Sequence, residues 1–401
     1  MTDVKIPEDV AGAFVPHNIT APILGSENGP LAGKTFAVKD LYHIAGRKLS
    51  NGNPDYYDWV EPKTKTSVAV QQLLDAGADI VGITICDEFF YSLSGDNAHY
   101  GAPRNLRAPG RMPGGSSSGS AAAMSAEMCD FTLGSDTGGS VRIPASFCGL
   151  YGIRPTHGRV DLSYAHPMAP SFDTAGWFTN DAELFRDIGP VLLDENAIAG
   201  KPERMLVLTD AFARATPAVK QALEAVLAAA ADVLPDGEPT MVAGDDTLDV
   251  WWDAFRVIQA SEVKETNVPW VEEHKANLGP GIRERFAMAA AITTEETRAA
   301  NAIRDRVRER MLGLTPPGTV LCLPTAPVIA PPLDAGAEDL EFFRANTMAL
   351  TCISGHSGLP QITIPAAEVD GCPIGLSFIG WPGGDEALLD LAVALQPFCT
   401  R

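Results

Sequence analysis

Two runs of glycine and serine constrain this chain most: Gly114-Gly115-Ser116-Ser117-Ser118-Gly119-Ser120 and Gly134-Ser135-Asp136-Thr137-Gly138-Gly139-Ser140. Such runs are ordinarily flexible linkers, and linkers separate domains. Here they flank one short apolar unit, in which residues 120–127 (SAAAMSAE) read as a small-residue helix and 130–134 as a strand. The two runs are therefore expected to be loops that meet at one end of a sheet, where α/β folds place their ligands.

The surrounding periodicity agrees. Thr35–Lys39 (TFAVK) is β-prone. Residues 66–76 read as a helix, with Thr66 or Ser67 as cap, an apolar stripe of Val70, Leu73 and Leu74, and Gly77 as the stop. Asp79–Thr84 (DIVGIT) reads as a buried strand, 87–94 as a helix, and 320–323 and 361–364 as later core strands. The alternation points to an α/β domain with a covered sheet; the expected fold is a single α/β domain over residues 1–401, a mixed, twisted sheet covered by helices on both faces. Residues 1–30 form an irregular arm. The Ala-, Glu- and Arg-rich stretches 216–233 and 282–312 make 200–315 a variable helical region that shapes the pocket. No internal repeat or compositional break divides the chain.

Charge narrows the partners. Thirty Lys and Arg stand against 51 Asp and Glu, a net charge of −21 over 401 residues. So acidic a surface repels phosphate backbones and anionic lipid, which argues against nucleic acid and membrane as partners. No stretch approaches the roughly 18 apolar residues of a membrane span. Residues 1–10 lack the apolar core of a secretory signal, so the expected location is the cytoplasm. The seven cysteines (Cys86, Cys129, Cys148, Cys322, Cys352, Cys372 and Cys399) are odd in number and widely spread, which reads as reduced, mostly buried thiols. The histidines lack metal-ligand spacing, and no metal or cofactor is expected. A homodimer is admitted by the sequence but not specified by it.

Familiar catalytic motifs fail in context. Gly115-Ser116-Ser117-Ser118-Gly119 fits the nucleophile elbow G-x-S-x-G, but residues 107–113 (RAPGRMP) before it cannot be the central strand that motif needs. Gly33-Lys34-Thr35 resembles the end of a P-loop, yet Asn28 replaces the first glycine and a strand follows. Neither loop fits the dinucleotide-binding pattern. Gly138-Gly139-Ser140 offers more: a hydroxyl directly after two residues without side chains, whose backbone N–H groups can converge on one oxygen as an oxyanion hole. No histidine lies in either loop to serve as base. Lys39, closing a strand in Val38-Lys39-Asp40, can do so if a dry site keeps it neutral.

The runs GGSSSGSAAA (114–123) and GSDTGGSVRIPASFCGLYGIRPTHGRV (134–160) closely resemble the signature of the amidase signature family. AVKD (37–40) matches its lysine motif; LPTAPV (323–328) and the segments GLPQITIP and GCPIGLSFIG (358–380) match its C-terminal pattern. The resemblance covers about 30–190 and 320–395. It implies an amide hydrolase with a Ser–cisSer–Lys triad: Ser140 as nucleophile, Ser116 as proton shuttle after a cis peptide bond, and Lys39 as base. Thr137, Gly138, Gly139 and Ser140 would supply the oxyanion hole, and Asp136 and Arg142 would hold the loop. The chain departs from the family's usual GGSSGGS at Ser118, where glycine is the rule; a negative φ there would accommodate the hydroxyl.

The run 87–101 (DEFFYSLSGDNAHYG) and the run 171–178 (SFDTAGWF) are similar to the branch containing indole-3-acetamide hydrolases. That likeness implies a small-molecule amide substrate, an aryl- or indolyl-acetamide, cleaved to acid and ammonia or amine, with the backbone of Phe90 near the leaving group. The same family also holds the glutaminase subunit of a tRNA-dependent amidotransferase, hydrolases of urea-like amides of the allophanate or biuret type, and non-catalytic import receptors that have lost the lysine or serine. Lys39, Ser116 and Ser140 are all present here.

Overall fold

The computed structural model describes residues 4–400. Ten strands form one mixed sheet: β1 (Thr35–Lys39), β2 (Asp79–Thr84), β3 (Phe131–Asp136), β4 (Tyr151–Arg154), β5 (Thr174–Thr179), β6 (Arg204–Leu208), β7 (Gly237–Thr240), β8 (Thr319–Pro324), β9 (Gln361–Val369) and β10 (Cys372–Ile379). Their order is β2-β1-β3-β5-β4-β9-β10-β8-β6-β7. The strands at each end run parallel to their neighbours, and those from β3 to β8 pair antiparallel. β2, β3, β5, β8 and β10 are buried along their whole length, as expected of strands with helices on both faces. One apolar cluster centres on Phe36, Phe131, Trp177 and Ile362, and another on Phe172, Trp251, Phe255 and Leu321.

The apolar unit between the glycine–serine runs forms as its sequence suggests, shifted by two residues. Ser118–Ser125 is a wholly buried helix against β3, β1 and β2. Its small side chains let the backbone come close: a Cβ on Gly119 would lie 2.4 Å from the Ala13 carbonyl oxygen. Ser118 sits in its first turn, outside the left-handed region, so the departure from the family pattern is accommodated. The N-terminal arm bridges to β2 at Phe14–Thr84 and Ile23–Ile80.

Two expectations need correction. Residues 87–94 do not form a helix. Only Glu88–Phe90 makes a turn, and Phe89 (φ 46°) and Phe90 (φ 62°) are left-handed. Tertiary contacts override the local pattern: the Glu88 carboxylate accepts from Asn53 Nδ2 (2.6 Å) and Gly279 N–H (2.9 Å) and lies 2.9 Å from His99 Nε2. The region 200–315 is not helical throughout, since β6 and β7 come from it and extend the sheet to its far edge. The described cysteines are all free thiols, and among the described residues no helix is long and apolar enough to cross a membrane.

Candidate active site

Lys39 ends β1 beside β3, fully buried. Its Nζ lies 2.8 Å from Ser116 Oγ and 2.8 Å from Ser135 Oγ, and 5.1 Å from the centre of the Phe90 ring. Ser116 Oγ in turn lies 3.0 Å from Ser140 Oγ. The Gly115–Ser116 peptide bond is cis. The Ser117 N–H donates to the Ser140 carbonyl (3.3 Å), which ties the two loops together. Lysine, inner serine and outer serine therefore form one buried hydrogen-bonded row. Ser135, in the second glycine–serine run, is a member of this cluster that the sequence reading did not single out.

Burial lowers the Lys39 ammonium to about 8, against the opposing pull of Cys86, Asp87, Asp136 and Asp173. Near neutrality a usable fraction is therefore an unprotonated amine. Asp87 lies below the first loop. Its N–H donates to the Ser116 carbonyl (3.1 Å) and its Oδ2 accepts from Gly95 N–H (3.1 Å). Burial raises its carboxyl to about 7, with Asp96 adding to the effect.

Asp136 is the hub of the second loop. It accepts from Arg142 Nε (2.9 Å) and a terminal nitrogen (2.7 Å), from Arg154 (3.2 Å), and from the N–H groups of Gly139 (3.0 Å), Val141 (3.1 Å) and Arg142 (3.3 Å). Burial alone would raise its carboxyl; the two guanidinium groups overcome that and hold it well below the usual range. This corrects one expectation. The Gly139 N–H is committed to Asp136 and is not available to an oxyanion. Gly139 serves instead by its φ of 124°, where a Cβ would also meet Thr351 Cγ2 at 2.9 Å. The N–H groups of Thr137, Gly138 and Ser140 are the remaining candidates. Asp136→Asn leaves two buried guanidinium groups short of a counter-charge. It is expected to cost about 3–5 kcal/mol of unfolding free energy, read by urea denaturation; a loss under about 1 kcal/mol would remove the hub role.

Ser140 opens into a cavity of about 620 Å³. Phe90, Met168, Trp252, Met288 and Met348 give it apolar walls, and Gly138 lies at its edge. Three helices each present one face to it. Leu248–Thr266 gives Trp252, Arg256 and Gln259; Ile282–Ala291 gives Arg285 and Met288; Ala337–Ser357 gives Glu341, Arg344 and Met348. Apart from Phe90, the sequence reading named none of these wall residues. Their helical spacing was a usable signal, but nothing in the sequence says which helix face meets the loops.

A family model described as amidase matches residues 16–197 and 201–389. The chain belongs to the amidase family. This amidase is 37% identical to Amidase 1 of Oryza sativa subsp. japonica, across 96% of the chain and 94% of that protein. It is 34% identical to Amidase 1 of Arabidopsis thaliana, across 96% and 98%. A solved amidase crystal structure superposes with a TM-score of 0.83 at 29% identity, covering 93% of this chain and 86% of that one. The sheet, its helical layers and the family membership identify an amide-cleaving hydrolase.

Proposed function

We propose that this amidase cleaves its substrate through an acyl-enzyme on Ser140, with Ser116 and Lys39 as the proton relay. The observation that carries the reading is the row Lys39 Nζ–Ser116 Oγ–Ser140 Oγ, at 2.8 and 3.0 Å, which ends at the cavity. Neutral Lys39 accepts the Ser116 hydroxyl proton while Ser116 takes that of Ser140; hydroxyl hydrogens turn freely enough for this direction. Ser140 Oγ attacks the amide carbonyl carbon. The resulting oxyanion is held by the N–H groups of Thr137, Gly138 and Ser140. The relay then returns the proton to the leaving nitrogen, the C–N bond breaks, and ammonia or amine departs. Water repeats the sequence on the ester and frees the acid and Ser140.

The acyl group we assign is an aryl- or indolyl-acetyl unit. The cavity has room for a bicyclic ring, and its Phe90, Trp252 and methionine walls suit an aromatic face. The test is a hydrolysis screen, followed by ammonia release, over arylacetamides, short aliphatic amides, glutamine and urea derivatives. Arylacetamides are expected to give the highest kcat/KM. A preference for glutamine or a urea derivative would replace the substrate class and leave the relay standing.

A further inference from the structure

Lys39 is fully buried, and among the described residues its Nζ has two hydrogen-bond partners, Ser116 Oγ and Ser135 Oγ, each at 2.8 Å. The relay described above uses only the first. The two hydroxyls are equivalent to an ammonium, which has three N–H donors and can give one to each. They are not equivalent to a neutral amine, which has two N–H groups and one lone pair. That amine takes the Ser116 proton only when its lone pair faces Ser116. Among the described residues no carboxylate is close enough to pair with Nζ, and the Phe90 ring lies 5.1 Å away. Ser135 is therefore the group that can fix rotation about the Cε–Nζ bond.

Ser135 is built for that task. Its backbone lies in β3, paired with Ala175 of β5. The Ser117 hydroxyl accepts from its N–H (3.3 Å) and donates to its carbonyl (3.2 Å), so the first glycine–serine run braces it from the other side. Its Oγ has no hydrogen-bond partner besides Lys39 among the described residues, and a hydroxyl turns to offer a lone pair where a donor stands. Ser116 differs, because its Oγ continues to Ser140 Oγ at 3.0 Å. Ser116 thus joins base to nucleophile, while Ser135 touches the base alone. Ser135 is also absent from the walls of the cavity that Ser140 opens into. It borders a smaller one of about 260 Å³, which shares Phe90 and Met168 with the first.

We infer that Ser135 is a positioning residue of the relay: its Oγ accepts one N–H of neutral Lys39 and so turns the amine lone pair toward the Ser116 hydroxyl. The inference rests on the reading of Lys39 as the base. In the step it serves, the Ser116 O–H bond breaks and an Nζ–H bond forms, while Ser135 keeps its own proton throughout. A consequence for pH follows. A hydroxyl accepts more strongly from an ammonium than from an amine. Ser135 therefore favours the charged form of Lys39, in the same direction as Cys86 and Asp87 after β2, Asp136 at the end of β3 and Asp173 before β5, and against burial. Removing its hydroxyl makes Lys39 easier to deprotonate and harder to aim.

The experiment measures kcat, KM and the pH profile of kcat/KM for Ser135→Ala, Ser135→Cys and Ser135→Thr, on phenylacetamide or the amide that outranks it in the hydrolysis screen. Ser135→Ala is expected to lower kcat at least about tenfold, the scale of a misaimed reacting group. KM should stay within about twofold, since Ser135 does not line the substrate cavity. The acid limb of the profile should move to lower pH by about half a unit, because the ammonium has lost an acceptor. Ser135→Thr keeps the hydroxyl and should recover most of the rate. Ser135→Cys keeps the size but accepts weakly, and should stay impaired; a residue that merely fills space would be rescued by it. A kcat loss below about tenfold, a loss carried mainly in KM, recovery by Ser135→Cys equal to that by Ser135→Thr, or an acid limb that stays in place or moves to higher pH overturns the positioning role. If Ser135→Ala does not fold, the Cys and Thr variants decide. The reading of Lys39 as base fails separately, through an active Lys39→Arg; near-wild-type Ser135→Ala beside an inactive Lys39→Arg sinks the role of Ser135 alone.

Discussion

Ser140→Ala is expected to lower kcat by about a hundred-thousandfold or more, the scale at which a covalent mechanism loses its nucleophile. Without Oγ no acyl-enzyme forms, and what remains is the oxyanion-hole donors and the binding of substrate. The variant should fold normally, because among the described residues Ser140 Oγ has one side-chain partner, Ser116 Oγ, and the loop is held by Asp136 rather than by that hydroxyl. Ser116→Ala and Lys39→Ala should each cost several orders of magnitude. Combining either with Ser140→Ala should cost little more than Ser140→Ala alone, since the three act as one unit. Steady-state rates on the best amide from the screen measure this, with the acyl-enzyme trapped in the wild type by rapid acid quench and mass analysis. Losses that multiply across the double variants would mean three independent contributions and no relay.

The parts of this site that could be read from sequence are those fixed by backbone. Gly138 and Gly139 announce a loop with special geometry, and the order lysine, first loop, helix, strand, second loop fixes which strand ends lie together. β1 and β3 are adjacent, so a lysine at the end of β1 falls beside the loop after β3. Asp136 shows the limit of that reading. As an acid near Arg142 it reads as scaffold, but only the structure shows that it also takes the Gly139 N–H and so removes one of the expected oxyanion donors.

What sequence did not reveal depends on contacts distant along the chain. The turn at Glu88–Phe90 is set by Asn53, His99 and Gly279, and a local pattern cannot weigh those against helix propensity. β7 (Gly237–Thr240) contains a proline and pairs along one side only, so its sequence carries no strand signal, and the parallel pairing with β6 alone makes it one. The cavity wall is the largest omission. Trp252, Arg256 and Gln259 recur at helical spacing, yet whether that face meets the loops or solvent depends on how three helices pack over the sheet. Two of the three helices that line the cavity, Leu248–Thr266 and Ile282–Ala291, therefore lie in the part of the chain where resemblance gave no guide.

Lys39→Arg is expected to be almost inactive, and the wild-type rate to follow the titration of Lys39. A base must be unprotonated, and burial holds the Lys39 amine at about 8 although Cys86, Asp87, Asp136 and Asp173 favour its charged form. Below that value most molecules carry an ammonium that cannot accept a proton. The kcat/KM should accordingly rise about tenfold per pH unit on the acid side and level off above about 8. An arginine keeps the positive charge and the reach but does not deprotonate in this range, so its profile should stay flat and near background. Stability carries the matching sign. The folded value is depressed below the unfolded 10.5, so between about 8 and 10.5 the unfolded chain binds more protons than the native one. Relative to Lys39→Met, the wild type should therefore gain stability as pH rises through that window, and the difference should be constant below it. Rate profiles from mildly acidic to alkaline pH, paired with urea melts of wild type and Lys39→Met, measure both. If Lys39→Arg retains more than about a tenth of wild-type activity, Lys39 is a positioning charge and the base lies elsewhere. If the stability difference is flat across the window while activity still titrates, the ionisation that controls the rate belongs to a neighbour, and Asp87, raised to about 7 beside the same loop, is the group to replace next.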